Sequence, residues 1–424
     1  MSVDFQVTAW SYDTNIYEVN LRQYTYEGSF NAFVNEMPRL RDMGIEVLWF
    51  MPITPISVEK RKGTLGSYYA CSDYTDTNPE FGTVDDFKNL VRYAHELGFK
   101  VIIDWVANHT GWDHRWTIEH PEYYVKDNAG NFTERNGWDD VIDLDFNNHN
   151  LRTAMIEAMK FWITECDIDG FRCDMAHLVV LDFWREARTA LEPLKKLFWL
   201  AECEEIAYHQ VFDATYTWRW MHRTEEFTKH QTNIDGLWDL LQQYNNEFPP
   251  GAFRAYFTSN HDENSWNGTE YEKYGAAAIN LAVFSCTWNG IPLIYSGQEL
   301  PNHKRLKFFD KDPIEWTGKF ELHDFYKALL HLRKRNKALR AGSEEVSSHR
   351  LQTSVNDRVF SFHRKHPSNE IIVLLNFSAD QLSVNILDDD LKGSFKNIFT
   401  NEAIDFDNNK TVELQPWSFL VFEK

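Results

Sequence analysis

The stretch TVDDFKNLVRYAHELGFKVIID, residues 83–104, decides the fold. Thr83, with Asp86 three residues on, reads as a capping box at a helix start. Phe87, Leu90, Val91, Ala94 and Leu97 then recur at helical spacing, and Gly98 marks the stop. The apolar run that follows has the length and density of a strand buried on both faces, and an acid, Asp104, stands where it ends. The same grammar recurs along the chain. Phe30, Phe33, Val34, Met37, Leu40 and Met43 precede Gly44 and an apolar strand, with Pro38 expected to kink that helix. Residues 151–163 precede Gly170-Phe171-Arg172, and 271–288 precede Gly290 and Ile291-Pro292-Leu293-Ile294-Tyr295.

Strands are expected near 15–20, 45–50, 99–104, 170–174, 198–202, 211–213, 255–259 and 291–295. Eight strands with intervening helices predict an α/β fold, a TIM (β/α)8 barrel; a doubly wound open sheet is the rival. About 40 residues rich in Trp, Asn, Asp and Gly follow the third strand, far more than an ordinary connection holds. They predict a loop subdomain at about 111–148 that walls a cleft on the C-terminal face. After a helix over 325–339 the pattern switches to alternation at 358–363, 370–377 and 418–422. The expected division is a catalytic barrel over 1–342 and an antiparallel β-sandwich over 343–424, packed directly because no Pro/Gly/Ser linker separates them.

The 424 residues are 43% hydrophobic and 25% charged, which excludes wholesale disorder and fibrous repeats. Aromatics reach 15%, with 16 Trp, so large flat surfaces are plentiful. A formal charge of −21 repels phosphate backbones and anionic membranes, which excludes nucleic acid as the expected partner. No apolar run approaches the length of a membrane helix. No Lys or Arg precedes Arg22 and no apolar stretch follows Met1, so the start does not read as a secretory signal and the expected compartment is the cytoplasm. Five cysteines, Cys71, Cys166, Cys173, Cys203 and Cys286, lack any C-x-x-C and argue against a disulfide framework or zinc site. No pattern speaks to oligomeric state.

Four acids stand where apolar strands run out: Asp104, Asp174, Glu202 and Asp262. One alone would read as a helix cap. Four on different strands, beside His109, Arg172 and His261, point to a site, because a carboxylate at the end of a core strand needs a partner or a task. Crowded carboxylates with an Arg suit glycosidic bond chemistry, in which one acid stays ionised and another stays protonated. Arg172 shares a strand face with Asp174 and favours its ionised form, while Glu202 has fewer basic neighbours and is the better acid. Glu204 shares the face of Glu202 by period two, so that choice rests on register. Trp112, Trp116, Trp138 and Trp266 fall in presumed rim loops, where rings can stack on sugars. Cys173 and Cys203 alternate out of the cleft.

The segments GIEVLWFMPITPI (44–56), DYTDTNPEFGTVDDF (73–87), DWVANHT (104–110), DIDGFRCDMAH (167–177), LAE (200–202), FTSNHDE (257–263), GIPLIYSGQE (290–299) and LQPWSFLVFEK (414–424) together resemble the alpha-amylase family of retaining glycoside hydrolases over nearly the whole chain. The resemblance implies that Asp174 is the nucleophile, Glu202 the general acid/base, and Asp262 the transition-state stabiliser. It implies that Arg172, His109 and His261 hold the sugar, that Tyr69 stacks under its ring, and that Asp104 braces the site from behind. Many amylases carry Lys-His three and four residues after the nucleophile; His177 and Leu178 stand there instead, with His177 as the acceptor-side contact. Asn108 would be a calcium ligand in calcium-dependent members, which leaves calcium open, and no organic cofactor is implied. Residues 126–131 read as a turn rather than a metal loop. The segment NLRQYTYEGSF (20–30) replaces the metal loop of oligo-1,6-glucosidases, and Ile142-Asp143-Leu144-Asp145 resembles the motif of members that cut α-1,4 links. The implied activity is hydrolysis of α-1,4 bonds in starch-derived maltooligosaccharides through a covalent glucosyl-Asp174. The alternatives are an α-glucan transglycosylase or α-glucosidase of the same family, or an inactive member acting as a binding scaffold.

Overall fold

The computed structural model describes residues 5–424. Ten strands precede residue 296: β1 (Ile16–Val19), β2 (Val47–Phe50), β3 (Lys100–Trp105), β4 (His109–Gly111), β5 (Val141–Asp143), β6 (Gly170–Cys173), β7 (Phe198–Ala201), β8 (Ala214–Tyr216), β9 (Phe253–Tyr256) and β10 (Ile291–Tyr295). Eight of them close a parallel barrel in the order β1-β10-β9-β8-β7-β6-β3-β2, while β4 and β5 form a separate antiparallel ribbon within the loop that follows β3.

Alternation sorts the strand residues onto two faces. Ile16, Val47, Trp49, Ile102, Phe198, Leu200, Ala255 and Leu293 meet inside the barrel, and Tyr17, Leu48, Phe50, Val101, Ile103, Phe171 and Trp199 face the surrounding helices. Carried one step further along each strand, the inward parity arrives at Glu18, Asp104, Arg172 and Glu202, all buried. The interior packing and the polar rim are therefore set by one period. Gly170 opens β6 against β7 so closely that a Cβ there would lie 2.0 Å from the Phe198 carbonyl oxygen. The Thr83–Asp86 capping box forms in both directions. Pro38 divides the expected helix into Phe30–Phe33 and Met37–Met43, and the helix expected over 271–288 breaks at Gly275.

Two strands differ from the expected positions. The sixth is Ala214–Tyr216 rather than 211–213, because Phe212 packs outside the barrel against Trp184 and Trp199. Asp213 ends that outer turn by accepting from the Trp199 N–H and pairing with Arg188. The seventh ends at Tyr256 rather than 259. Beyond it the chain leaves the ladder, and Thr258 donates to the buried Glu270 carboxylate at 2.6 Å.

The C-terminal segment forms a six-stranded antiparallel sheet, from Ser347–Arg350 to Phe419–Glu423 in the chain, and a two-stranded sheet of Leu382–Asn385 with Thr411–Leu414. Ile372, Leu374, Val384, Val412, Leu414 and Phe422 join in one apolar cluster between the two sheets. The large sheet lies directly on the barrel helices: Phe360 stacks on Trp238 at 4.4 Å, Phe362 meets Trp288 edge-on, and the buried Arg364 donates to the carbonyls of Thr287 and Arg340. All five cysteines are free and buried. Among the described residues no helix is long and apolar enough to cross a membrane.

Because the three nearest neighbours of a Cβ at residue 170 are all backbone atoms of Phe198 that cannot rotate away, Gly170→Ala is expected to cost about 1–3 kcal/mol. Urea denaturation of the variant against wild type measures this.

Candidate active site

The rim of the barrel surrounds a pocket of about 470 Å³, lined by Tyr69, His109, Asp174, Glu202 and Asp262, with Lys62, Trp138, Asp140, Met175, Trp266, Phe308 and Phe309 as its outer walls. At its floor is Arg172, wholly buried on β6. One of its terminal nitrogens lies 2.8 Å from Asp104 and 3.1 Å from Asp174, and the other lies 2.8 Å from Glu202. Trp49 and Tyr216 flank the guanidinium. Three carboxylates thus share one cation away from water, an arrangement that keeps the arginine charged. Burial and then the charge of Glu202 push the Asp174 carboxyl well above the usual carboxylate range, while Arg172 works in the opposite sense.

The oxygens of the two acids differ. Glu202 Oε2 accepts from the Met175 N–H at 2.8 Å and faces Arg172, whereas Asp174 Oδ1 faces Arg172. Each acid keeps a second oxygen outside these contacts. Glu204 has no part in the pocket: it accepts from the Arg219 side chain and backbone N–H at 2.8 and 2.7 Å.

Opposite this group, the Tyr69 hydroxyl donates to Asp104 at 3.1 Å and lies 2.7 Å from His261 Nε2, with the two rings stacked. His261 Nδ1 lies 2.5 Å from Glu18 on β1, and Nε2 lies 3.3 Å from Asp262. Burial raises the Asp262 carboxyl, but the charge of His261 beside it prevails and brings it below the ordinary range. His109, held by the Asn108 amide at 3.1 Å and edge-on to Trp138, is pushed down to about 4 by burial and is neutral.

A family model for the alpha-amylase catalytic domain matches residues 12–140 and 126–318. The chain belongs to the alpha-amylase family. Among solved structures it is similar to a maltogenic alpha-amylase from Thermotoga neapolitana, at 31% identity and TM-score 0.86 over 97% of this chain and 96% of that one. It is also similar to an alpha-amylase from Lactobacillus plantarum, at 29% identity and TM-score 0.87 over 97% and 99%. Among curated proteins, an alpha-amylase from Haloarcula japonica is 26% identical over 90% of this chain, which spans 58% of the length of that relative.

Within this family frame the structure gathers Tyr69, Asp104, His109, Arg172, Asp174, Glu202, His261 and Asp262 at one rim. His177 lies on an exposed 3-10 turn outside the pocket lining. Trp138 and Trp266 line the pocket, but Trp116 is buried between Tyr74 and Tyr123, and Trp112 lies under the Lys60 ammonium. Sequence reasoning missed Glu18, Lys62, Phe308 and Phe309. Glu18 carried a signal, a lone acid at an inward position of an apolar strand; the others sit in loops whose approach depends on the closed barrel.

Around Asn108, the position that calcium-dependent members use, the side-chain Nδ2 meets His109, the backbone carbonyl accepts from the Leu144 N–H, and the buried Asp143 pairs with Arg135 at 2.6 Å through one oxygen while its other oxygen has no partner. Among the described residues no three His, Cys, Asp or Glu side chains group as metal ligands.

Removal of the shared cation tests the electrostatics. Arg172→Leu is expected to lower stability at neutral pH by about 3–5 kcal/mol. Two of the carboxylates left behind, Asp104 and Asp174, have raised folded-state pKa values, so through them the native state binds more protons than the unfolded state and the loss shrinks as pH falls toward about 4. Urea denaturation at both pH values reads the difference.

Proposed function

We propose that this chain is a retaining glycoside hydrolase that cleaves α-1,4-glucosidic bonds in starch-derived maltooligosaccharides. One observation carries the reading: Asp174 and Glu202 touch the same buried guanidinium, yet each keeps a different oxygen outside that contact. Retaining enzymes need such a closely spaced pair, about 5–5.5 Å apart, so that one acid reaches carbon while the other reaches the leaving oxygen.

In this reading Glu202 Oε2 accepts from the Met175 N–H and lies beside the Arg172 guanidinium, so the acid proton is carried on Oε1, facing the pocket. That proton passes to the glycosidic oxygen as the C1–O bond breaks. Asp174 Oδ2 forms the new bond to C1, giving a glucosyl ester and releasing the shortened chain with a free hydroxyl. Glu202, now ionised, takes a proton from water as its oxygen attacks C1, which breaks the ester and restores both acids. Arg172 favours the ionised form of Asp174 in each half. Asp262, open to the pocket with its side chain 38% exposed, grips the hydroxyls of the reacting sugar, and Tyr69 gives that sugar a stacking face.

The aromatic walls Trp138, Trp266, Phe308 and Phe309 suit the C–H faces of neutral sugars, and the net charge of −21 disfavours anionic ones. The names of relatives agree with this substrate class: besides alpha-amylases they include a cyclomaltodextrinase from Thermoanaerobacter pseudethanolicus and a neopullulanase from Thermoactinomyces vulgaris. Five unpaired buried cysteines support work in a reducing compartment, on oligosaccharides that have entered the cell.

Asp174→Asn is expected to bring turnover of maltoheptaose to background, and Glu202→Gln to lower it about 10²–10⁴-fold, while Glu204→Gln stays near wild type. Reducing-sugar assays on purified variants decide this, and a Glu204→Gln loss as large as that of Glu202→Gln would overturn the assignment. Proton NMR of fresh product is expected to show the α anomer first; initial β product would rule out retention.

A further inference from the structure

Glu18 is the one acid at this rim that touches neither the pocket lining nor Arg172 at ion-pair distance. It sits third in β1, wholly buried, and its Oε1 lies 2.5 Å from His261 Nδ1 and within 3.4 Å of the His261 backbone N–H. A carboxylate there costs desolvation unless a charged partner answers it. The partner is the His261 ring, and the bonds on its far side fix the proton count. The Tyr69 hydroxyl, with one proton to give, lies between Asp104 at 3.1 Å and His261 Nε2 at 2.7 Å; when that proton goes to Asp104, its oxygen accepts from Nε2. Asp262, 3.3 Å from the same nitrogen, is also an acceptor. With a carboxylate beside each ring nitrogen, Glu18 at Nδ1 and Asp262 at Nε2, the doubly protonated ring offers a hydrogen to both.

We propose that Glu18 is a positioning residue that keeps the His261 ring doubly protonated, so that its Nε2–H edge offers a fixed positive donor to Asp262 and to the hydroxyls of the bound sugar. The inference rests on the reading of the pocket as a sugar site. The charged and titratable groups facing the ring are Glu18 from β1, Tyr69 from the loop after β2, Asp104 from β3, Arg172 from β6, and Asp262 next in the chain. Trp49 meets its edge and Phe308 covers it from the loop after β10. Burial works against the charged ring, but the carboxylates of Asp262 and then Glu18 outweigh it and lift the imidazole well above its usual range. Tyr69 and Asp262, the two groups that would meet the sugar directly, are therefore both held by a ring whose charge is set from behind.

The test uses E18Q, which keeps the size and the hydrogen-bond acceptor but removes the charge. In wild type, the ¹⁵N resonances of the His261 ring, assigned by their loss in H261Q, are expected to stay in the doubly protonated position from about pH 6 to 8. In E18Q the ring is expected to lose its proton within that interval. The ratio of E18Q to wild-type kcat/KM on maltoheptaose is expected to fall about tenfold from pH 6 to 8, whereas a packing defect would lower it equally at every pH. E18D, which keeps the charge, is expected to give a flat ratio. A flat ratio for E18Q, or a His261 ring that titrates alike in E18Q and wild type, overturns the proposal. If E18Q does not fold, the wild-type ring decides alone: titration between about pH 6 and 8 overturns the proposal. The ring titration needs no substrate, so its failure is distinguishable from failure of the hydrolase reading.

Discussion

A single guanidinium with no access to water holds the acids of the barrel rim together. Arg172 is the only cation in ion-pair contact with Asp104, Asp174 and Glu202 among the described residues, and in a low-dielectric setting such a contact is felt far more strongly than at a surface. Three negative charges against one positive charge leave an excess that the site resolves by retaining a proton. A retaining glycosidase needs that condition before substrate arrives, with one acid bare and one acid armed. The barrel supplies the rigidity: each participant hangs from a different strand, and the strands are locked to one another around a closed ring.

The period of two in a strand joins stability to chemistry here. Ile102 fills the barrel and Asp104 emerges above it; Leu200 fills the barrel and Glu202 emerges above it; Ile16 does the same for Glu18. A slip of one residue in any strand would turn its acid toward the helices and a helix-facing residue toward the cleft. The apolar interior beneath the rim therefore sets the register of the acids above it.

This explains which features could be read in advance. The helix, glycine, strand and acid pattern around residues 83–104 depends on neighbouring residues only, and its capping box and strand appear as expected. Asp174 and Glu202 were legible because each stands directly after a barrel strand, whereas Asp262 follows a polar stretch, six residues beyond the end of its strand at Tyr256, and was legible through the segment FTSNHDE. The sixth strand was not, since Ala214-Thr215-Tyr216 carries little apolar weight while Val211-Phe212 just before it carries more, though that pair serves the outer layer. Phe308 and Phe309 lie in a long irregular loop whose path follows contacts to Arg22 and Leu65, remote in sequence. His177 bears the position of a family contact, but the short turn over Ala176–Leu178 turns it to the surface.

The junction between barrel and C-terminal sheet has its own consequence. Trp220, Trp238, Phe284 and Trp288 on the barrel side stack and cross with Phe360 and Phe362 on the sheet side. Burial of large rings on this scale dominates local energetics, and Arg364 adds two hydrogen bonds that reach across the boundary. The two halves thus share a continuous aromatic seam, and a barrel cut free there would bare an indole-rich flank to water.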